Sequence, residues 1–170
     1  MSQRSSLISL YKIFLSENIT HLEIINNYNI NLDSKGVALI FDNSSDINLI
    51  PMNIFNQIYN FYYSTYDDIK VYINHLPNGY NEFEIISNLN RYESIHFILK
   101  EFGISFPLHE FFVTKNEIRH QYILRFLSKE SQENIIFGKD LIQSMNISFL
   151  DNSDNFFINN REFILTINDD

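Results

Sequence analysis

The sequence predicts an α+β fold: a single domain in which several short helices pack on a small, mainly antiparallel sheet, with a C-terminal β-meander. Three observations carry this expectation. Helical and strand-like apolar spacings are segregated along the chain instead of strictly alternating, which disfavours a doubly wound parallel sheet. The final stretch breaks into short apolar runs at 147–150, 156–158 and 163–167, separated by polar turns. The chain has 170 residues, one ordinary domain, expected to bury about 70% of its unfolded surface without staples.

The elements follow in order. Leu7, Leu10, Tyr11, Phe14 and Leu15 recur at helical spacing, which predicts a helix over 5–17. Thr20-His21-Leu22-Glu23 fits a capping box and predicts a second short helix. Gly36 introduces Val37-Ala38-Leu39-Ile40-Phe41, a buried strand closed by the turn-forming run Asp42-Asn43-Ser44-Ser45-Asp46. Pro51 suits the first turn of a helix that carries Ile54, Ile58, Phe61 and Tyr62 inward. Ile69-Lys70-Val71-Tyr72-Ile73 alternates and reads as a strand, and Pro77-Asn78-Gly79 as a turn. Residues 82–89 and 91–102 read as helices, the second stopped by Gly103. Residues 106–113 read as extended. Thr114-Lys115-Asn116-Glu117 is a further capping box, opening a helix to about Leu127.

Composition bounds the chemistry. The absence of cysteine excludes disulfides, thiolate metal sites and cysteine nucleophiles. Asp and Glu number 21 against 12 Lys and Arg, a formal charge of −9. The N-terminal apolar stretch is broken by Lys12 and leads to no small-residue cleavage site, so a signal peptide is not expected. No run reaches the roughly 18 apolar residues of a membrane span. These features together predict a cytoplasmic protein with no membrane partner.

Several patterns bear on possible chemistry. Two Glu-x-x-His units, Glu93-Ser94-Ile95-His96 and Glu117-Ile118-Arg119-His120, would each place two ligands on one helix face. Arg119 and Arg125 beside the second would repel a cation, so no metal is expected. His109-Glu110 lacks the second histidine of a zinc-protease helix. The glycines are too few for a phosphate loop or a dinucleotide fingerprint, so no cofactor is expected. Asp67-Asp68 and Asp169-Asp170 read as solvated pairs. Lys115, Arg119, Arg125 and Lys129 form a basic segment that could complement an acidic patch within the fold or touch phosphate. Against the overall charge it is no nucleic-acid signal.

Tyr59, Tyr62, Tyr63, Tyr66, Tyr72 and Tyr80 form a tyrosine-rich stretch with acidic neighbours. Tyrosine buries a large area while keeping a polar tip, which suits either a core or a protein interface. Base stacking would want basic neighbours instead.

Leu76-Pro77-Asn78-Gly79-Tyr80-Asn81-Glu82-Phe83 resembles the Leu-Pro-x-x-Tyr-x-x-Phe type segment of the SUKH immunity proteins. The likeness is confined to this segment, and Asn88-Leu89-Asn90 stands where the family's Asn-Gly-Gly signal would follow. No residue role is carried over from it.

The functional expectation is a non-enzymatic inhibitor of the immunity or antitoxin type. It would neutralise a basic toxin domain, such as a nuclease, by charge steering into an interface with aromatic anchors. Tyr66, Asp67, Asp68, Tyr72, Glu82 and Glu84 are the expected partner-binding residues, and no catalytic residue is assigned. Two alternatives stand beside it. One is a small acyltransferase or hydrolase with His96, His109 or His120 as base, recognisable by a deep pocket holding one of them beside a carboxylate. The other is a viral or phage accessory protein that mimics nucleic-acid charge.

Overall fold

The computed structural model describes residues 12–15, 18–24, 28–87, 94–99, 102–149, 155–158, 161–164 and 167–169. Its first strands occupy the region expected to be helical. β1 (Lys12–Leu15) and β2 (His21–Ile24) are extended, and residues 5–11, 16 and 17 of the first helix expected over 5–17 lie outside the described residues. Thr20 does not cap a helix; its Oγ1 meets His21 Nδ1 at 3.0 Å. In β2, Leu22 and Ile24 are buried while His21 is exposed, a period of two that the capping pattern hid.

β3 (Tyr28–Ile30), β4 (Leu39–Asp42) and β5 (Asn48–Leu49) follow. The predicted strand at Leu39-Ile40-Phe41 is therefore present. Gly36 precedes it at φ 71°, a left-handed conformation in which a Cβ would collide with the Ile19 carbonyl. That closeness lets Ile19 and Val37 exchange backbone hydrogen bonds of 2.7 and 2.9 Å. Helix α1 (Met52–Thr65) starts after Pro51 and buries Ile54, Phe55, Ile58, Phe61 and Tyr62, the face its spacing predicted.

β6 (Lys70–His75) and β7 (Asn81–Ile86) form a hairpin around the 3₁₀ turn Pro77–Gly79. Positive φ at Asn78 and Gly79 reverses the chain there. Where the helix expected over 82–89 is described, it is a strand through Ile86: Phe83 and Ile85 face one way, Glu82 and Glu84 the other, and residues 88 and 89 lie outside the described residues. Of the helix expected over 91–102, the described residues are strand: β8 (Ser94–Leu99), paired with β9 (Phe102–Pro107), while residues 91–93, 100 and 101 lie outside the described residues. Gly103 sits inside that ladder opposite Ile98 and terminates no helix. A 3₁₀ turn, Leu108–Phe111, leads into β10 (Phe112–Asn116). The helix expected over 114–127 is a hairpin instead, made with β11 (Gln121–Leu124). Asn116 Oδ1 accepts from Arg119 N at 3.1 Å, which closes a turn and not a helix cap. Ile- and Phe-rich runs favour the pleated state, and a Thr-x-x-Glu pattern does not outweigh them.

β12 (Phe126–Leu127), β13 (Ile135–Phe137) and helix α2 (Lys139–Ser144) complete the central region. The predicted meander is present as β14 (Ile147–Phe149), β15 (Asn155–Ile158) and β16 (Arg161–Ile164), followed by β17 (Ile167–Asp169).

The molecule is α+β, with two α-helices among the described residues where more were expected. The sheets run β12-β5-β13-β4-β1-β17, β10-β11-β7-β6, β14-β15-β16 and β3-β2-β8-β9. Only β12–β5 and β13–β4 pair in parallel among the described strands. One buried apolar cluster draws on all four sheets and both helices. Phenylalanine takes the place that tryptophan often fills. The Phe137 ring lies 5.5 Å from Phe41, 5.7 Å from Phe106 and 5.6 Å from Phe126. A second aromatic group gathers on Phe83, with Tyr62 at 5.6 Å and Tyr59 at 6.0 Å. Buried Asn48 joins distant segments: its Nδ2 donates to Arg125 O at 3.2 Å and its Oδ1 accepts from Gly138 N at 2.6 Å.

Candidate functional site

The β10-β11-β7-β6 sheet sets the geometry. Paired residues share a sheet face. Phe83, paired with Ile73, faces α1, where its ring meets Phe55. Tyr72 pairs with Glu84, and Glu84 with Ile123, on the opposite, outward face. The sheet therefore buries an apolar side under α1 and presents a mixed polar side.

At the centre of that polar side lies Glu84, only 7% exposed. Its Oε1 accepts from Lys115 Nζ at 2.9 Å and from Asn74 Nδ2 at 3.1 Å, and its Oε2 from Gln121 Nε2 at 2.6 Å. Asn74 Nδ2 also donates to Glu82 Oε1 at 3.1 Å. Burial alone would push the Glu84 carboxyl up, but the hydrogen bonds from Lys115, Gln121 and Asn74, with the lysine charge, outweigh it and hold the pKa below the ordinary value. Val113 pairs with Ile123 and Ile123 with Glu84, so alternation places Lys115, two residues beyond Val113, on the same face, just where the register shifts between Thr114 and Asn116.

Beside this network, where α1 gives way to β6, an open groove is lined by Tyr63, Tyr66 and Asp67 on one side and Ile69, Lys70, Val71 and Tyr72 on the other. Helical periodicity divides the tyrosines. Tyr62 is fully buried and Tyr59 and Tyr66 pack against the core, but Tyr63 is 68% exposed. Tyr72, on the strand, is 42% exposed. The Tyr63 ring stacks on Tyr59 at 5.9 Å, which holds it in place from below. Asp67 and Asp68 are exposed in the bend before β6, and among the described residues neither has an ion-pair or hydrogen-bond partner.

The structure thus brings Tyr66, Asp67 and Tyr72 to one groove, with Asp68 at its end and Glu82 and Glu84 on the neighbouring strand. Glu84 is enclosed and supports the face from beneath. Tyr63 belongs with this group and was not among the six expected residues. Its signal was its position off the Ile54, Ile58, Phe61 and Tyr62 stripe. Nothing in the sequence signals Lys115 or Gln121, because long-range strand pairing brings them in.

The remaining candidates fall elsewhere. The Glu-x-x-His units do not lie on helices: His96 is on β8, and Glu117 and His120 are exposed in the turn 117–120. Glu93 and the His96 and His109 side chains lie outside the described residues. Neither the tyrosine groove nor a second, polar cleft beside Lys35, Asn53 and Glu133 includes a histidine. Among the described residues, no three His, Asp or Glu side chains gather as a metal site. The basic segment is spent largely within the fold. Besides Lys115, Arg125 Nη1 donates to Glu110 O at 3.2 Å and Ser144 Oγ at 3.1 Å, and Lys129 sits 5.0 Å from the Tyr80 ring centre. Among the described residues, no helix is long and apolar enough to cross a membrane.

No protein-family model matches the chain, and no curated protein matches it.

Proposed function

We propose that this chain is a protein-binding inhibitor of the immunity or antitoxin type, acting in the cytoplasm on a basic toxin domain. The observation that supports the reading most is the convergence of Tyr63, Tyr66 and Tyr72 with Asp67 and Asp68 around one open groove. Exposed aromatics supply contact area at low entropic cost, and unpaired carboxylates attract a cationic partner before contact. The formal charge of −9 acts in the same direction over a longer range. Glu84 and its donors hold the strand that carries Tyr72, so the face is set before binding.

The test is capture from host lysate with the tagged chain, at low and moderate salt, against a Tyr63→Ala/Tyr72→Ala double variant. A single basic protein retained in stoichiometric amount by the natural chain and lost by the variant is the expected result. Recovery of no partner overturns the inhibitor reading. Equal affinity after alanine replacement at each of Tyr66, Asp67, Asp68, Tyr72, Glu82 and Glu84 overturns its location.

A further inference from the structure

We infer that the partner enters as an extended basic segment that adds as a new strand to the open edge of β6; the inference rests on the inhibitor reading and specifies its mode of contact. Among the described strands, β6 is the last of its sheet. The direction of its backbone groups follows from the ladder. Leu76 N donates to Tyr80 O at 2.8 Å. In an antiparallel pair, bonded and non-bonded positions alternate. The bonded positions opposite β7 are therefore Asn74, Tyr72 and Lys70. Val71, Ile73 and His75 turn their N–H and C=O groups away from β7.

The far side of β7 agrees with this assignment. Asn81 N donates to Ser128 O at 2.7 Å and Ser87 N to His120 O at 3.0 Å, so its odd-numbered positions point away from β6. Among the described residues, the outward groups of Val71, Ile73 and His75 have no backbone partner.

The groove follows this edge. Consecutive residues, Ile69, Lys70, Val71 and Tyr72, line it, so side chains of both faces border the same space. An adhesive edge is usually blunted by proline, a bulge or inward-pointing charge. β6 contains no proline, and its register with β7 is unbroken from Lys70 to His75. An added strand would meet Tyr63 and Tyr66 on the helix side and Tyr72 on the other, while its backbone completed the ladder. This is strand addition, in which main-chain bonds supply affinity and alternate side chains supply selectivity.

The charge commits the occupant. Asp67 and Asp68 outnumber Lys70 at the entrance, and tyrosine faces accept an ammonium or guanidinium group. An alternating basic and apolar segment fits; an acidic one does not.

The test uses the full chain and a synthetic peptide one strand long that alternates lysine and valine. Its controls are a glutamate–valine counterpart and a lysine–valine peptide N-methylated at alternate residues. Binding is followed by fluorescence anisotropy, and amide hydrogen exchange is read at Val71, Ile73 and His75. The expected result is slowed exchange at those three amides with the lysine–valine peptide. Binding should fall about tenfold or more on N-methylation, as expected for several lost backbone bonds. Binding that survives N-methylation and leaves the three amides unprotected overturns strand addition but keeps the tyrosine face as an interface. No binding of the lysine–valine peptide, or equal binding of the glutamate–valine one, overturns the basic segment, while lysate capture judges the inhibitor reading separately. Protection that rises with the concentration of the chain alone makes a second copy the occupant and overturns the proposal.

Discussion

Lys115 and Glu84 meet across an intervening strand. The ammonium Nζ lies 2.9 Å from the carboxylate Oε1, although β11 runs between β10 and β7. The lysine stem stays in contact with solvent while the carboxylate is enclosed, so the glutamate is the member whose surroundings matter more. Glu84→Gln keeps the shape but sets an amide nitrogen among three donors. A loss of about 1–2 kcal/mol is expected, read as a lower urea midpoint at unchanged slope. Lys115→Met should lower the midpoint too, and the double variant should lose less than the sum. Additive losses would show that the two side chains do not act as a pair.

The same pair sets a pH dependence with a defined sign. The folded Glu84 carboxyl titrates below its ordinary value of 4.5, because its three donors outweigh the cost of burial. The folded state therefore releases this proton more readily than the unfolded chain does. The resulting stability is complete above pH 4.5 and is lost as pH falls through the lower, folded value. Lys115 shifts the opposite way, upward from 10.5, so its share is complete below that value and fades at higher pH. Thermal unfolding followed between pH 6 and pH 3, taken as an approximate window, should show a shallower acid decline for Glu84→Gln than for the natural chain. Parallel curves would assign the acid sensitivity to other groups.

What the sequence revealed depends on whether a signal was local. α1 was legible because Pro51, Ile54, Ile58, Phe61 and Tyr62 state a start and a face within a few turns. The alternation of β6 and the punctuated meander were legible for the same reason. β7 was not, because Ile85 and Ile86 stand side by side and blur a period of two that Glu82, Phe83 and Glu84 begin. The Thr20 and Thr114 capping patterns misled, since a box of four residues carries less energy than the pairing of a whole strand. At the candidate site, Tyr66, Asp67, Asp68 and Tyr72 are neighbours along the chain and were found together. The enclosure of Glu84 was not legible, for it depends on Lys115 and Gln121, which arrive through long-range pairing.

Two aromatic residues separate packing from recognition. Phe83 is fully buried and touches the rings of Phe55, Tyr59, Tyr62 and Phe112. Phe83→Ala should cost about 3–5 kcal/mol through lost contacts and a cavity. Tyr63 lies on the same helix-and-sheet layer but is 68% exposed. Tyr63→Ala should change stability by no more than about 0.5 kcal/mol, while weakening partner capture. Chemical denaturation beside capture tests both halves. A Tyr63→Ala chain that unfolds as easily as Phe83→Ala would make Tyr63 a structural residue and remove it from the interface.

The acids and the tyrosines of the groove should affect different rates. Asp67 and Asp68 project from the bend without ion-pair partners among the described residues, so their field acts on an approaching cation before contact. Tyr72 acts only after contact, through area that the partner covers. With the captured partner immobilised, Asp67→Asn/Asp68→Asn should slow association several-fold at low salt and leave dissociation nearly unchanged. That difference should shrink as the Debye length falls from about 30 Å at 0.01 M salt to about 8 Å at 0.15 M. Tyr72→Ala should do the reverse: the association rate stays, and dissociation quickens by about tenfold or more, as for an aromatic anchor worth over 1.4 kcal/mol. If the paired aspartates altered dissociation alone, with no dependence on salt, they would be contact residues and not steering groups. The long-range attraction would then have to come from the remaining acids of a chain whose formal charge is −9.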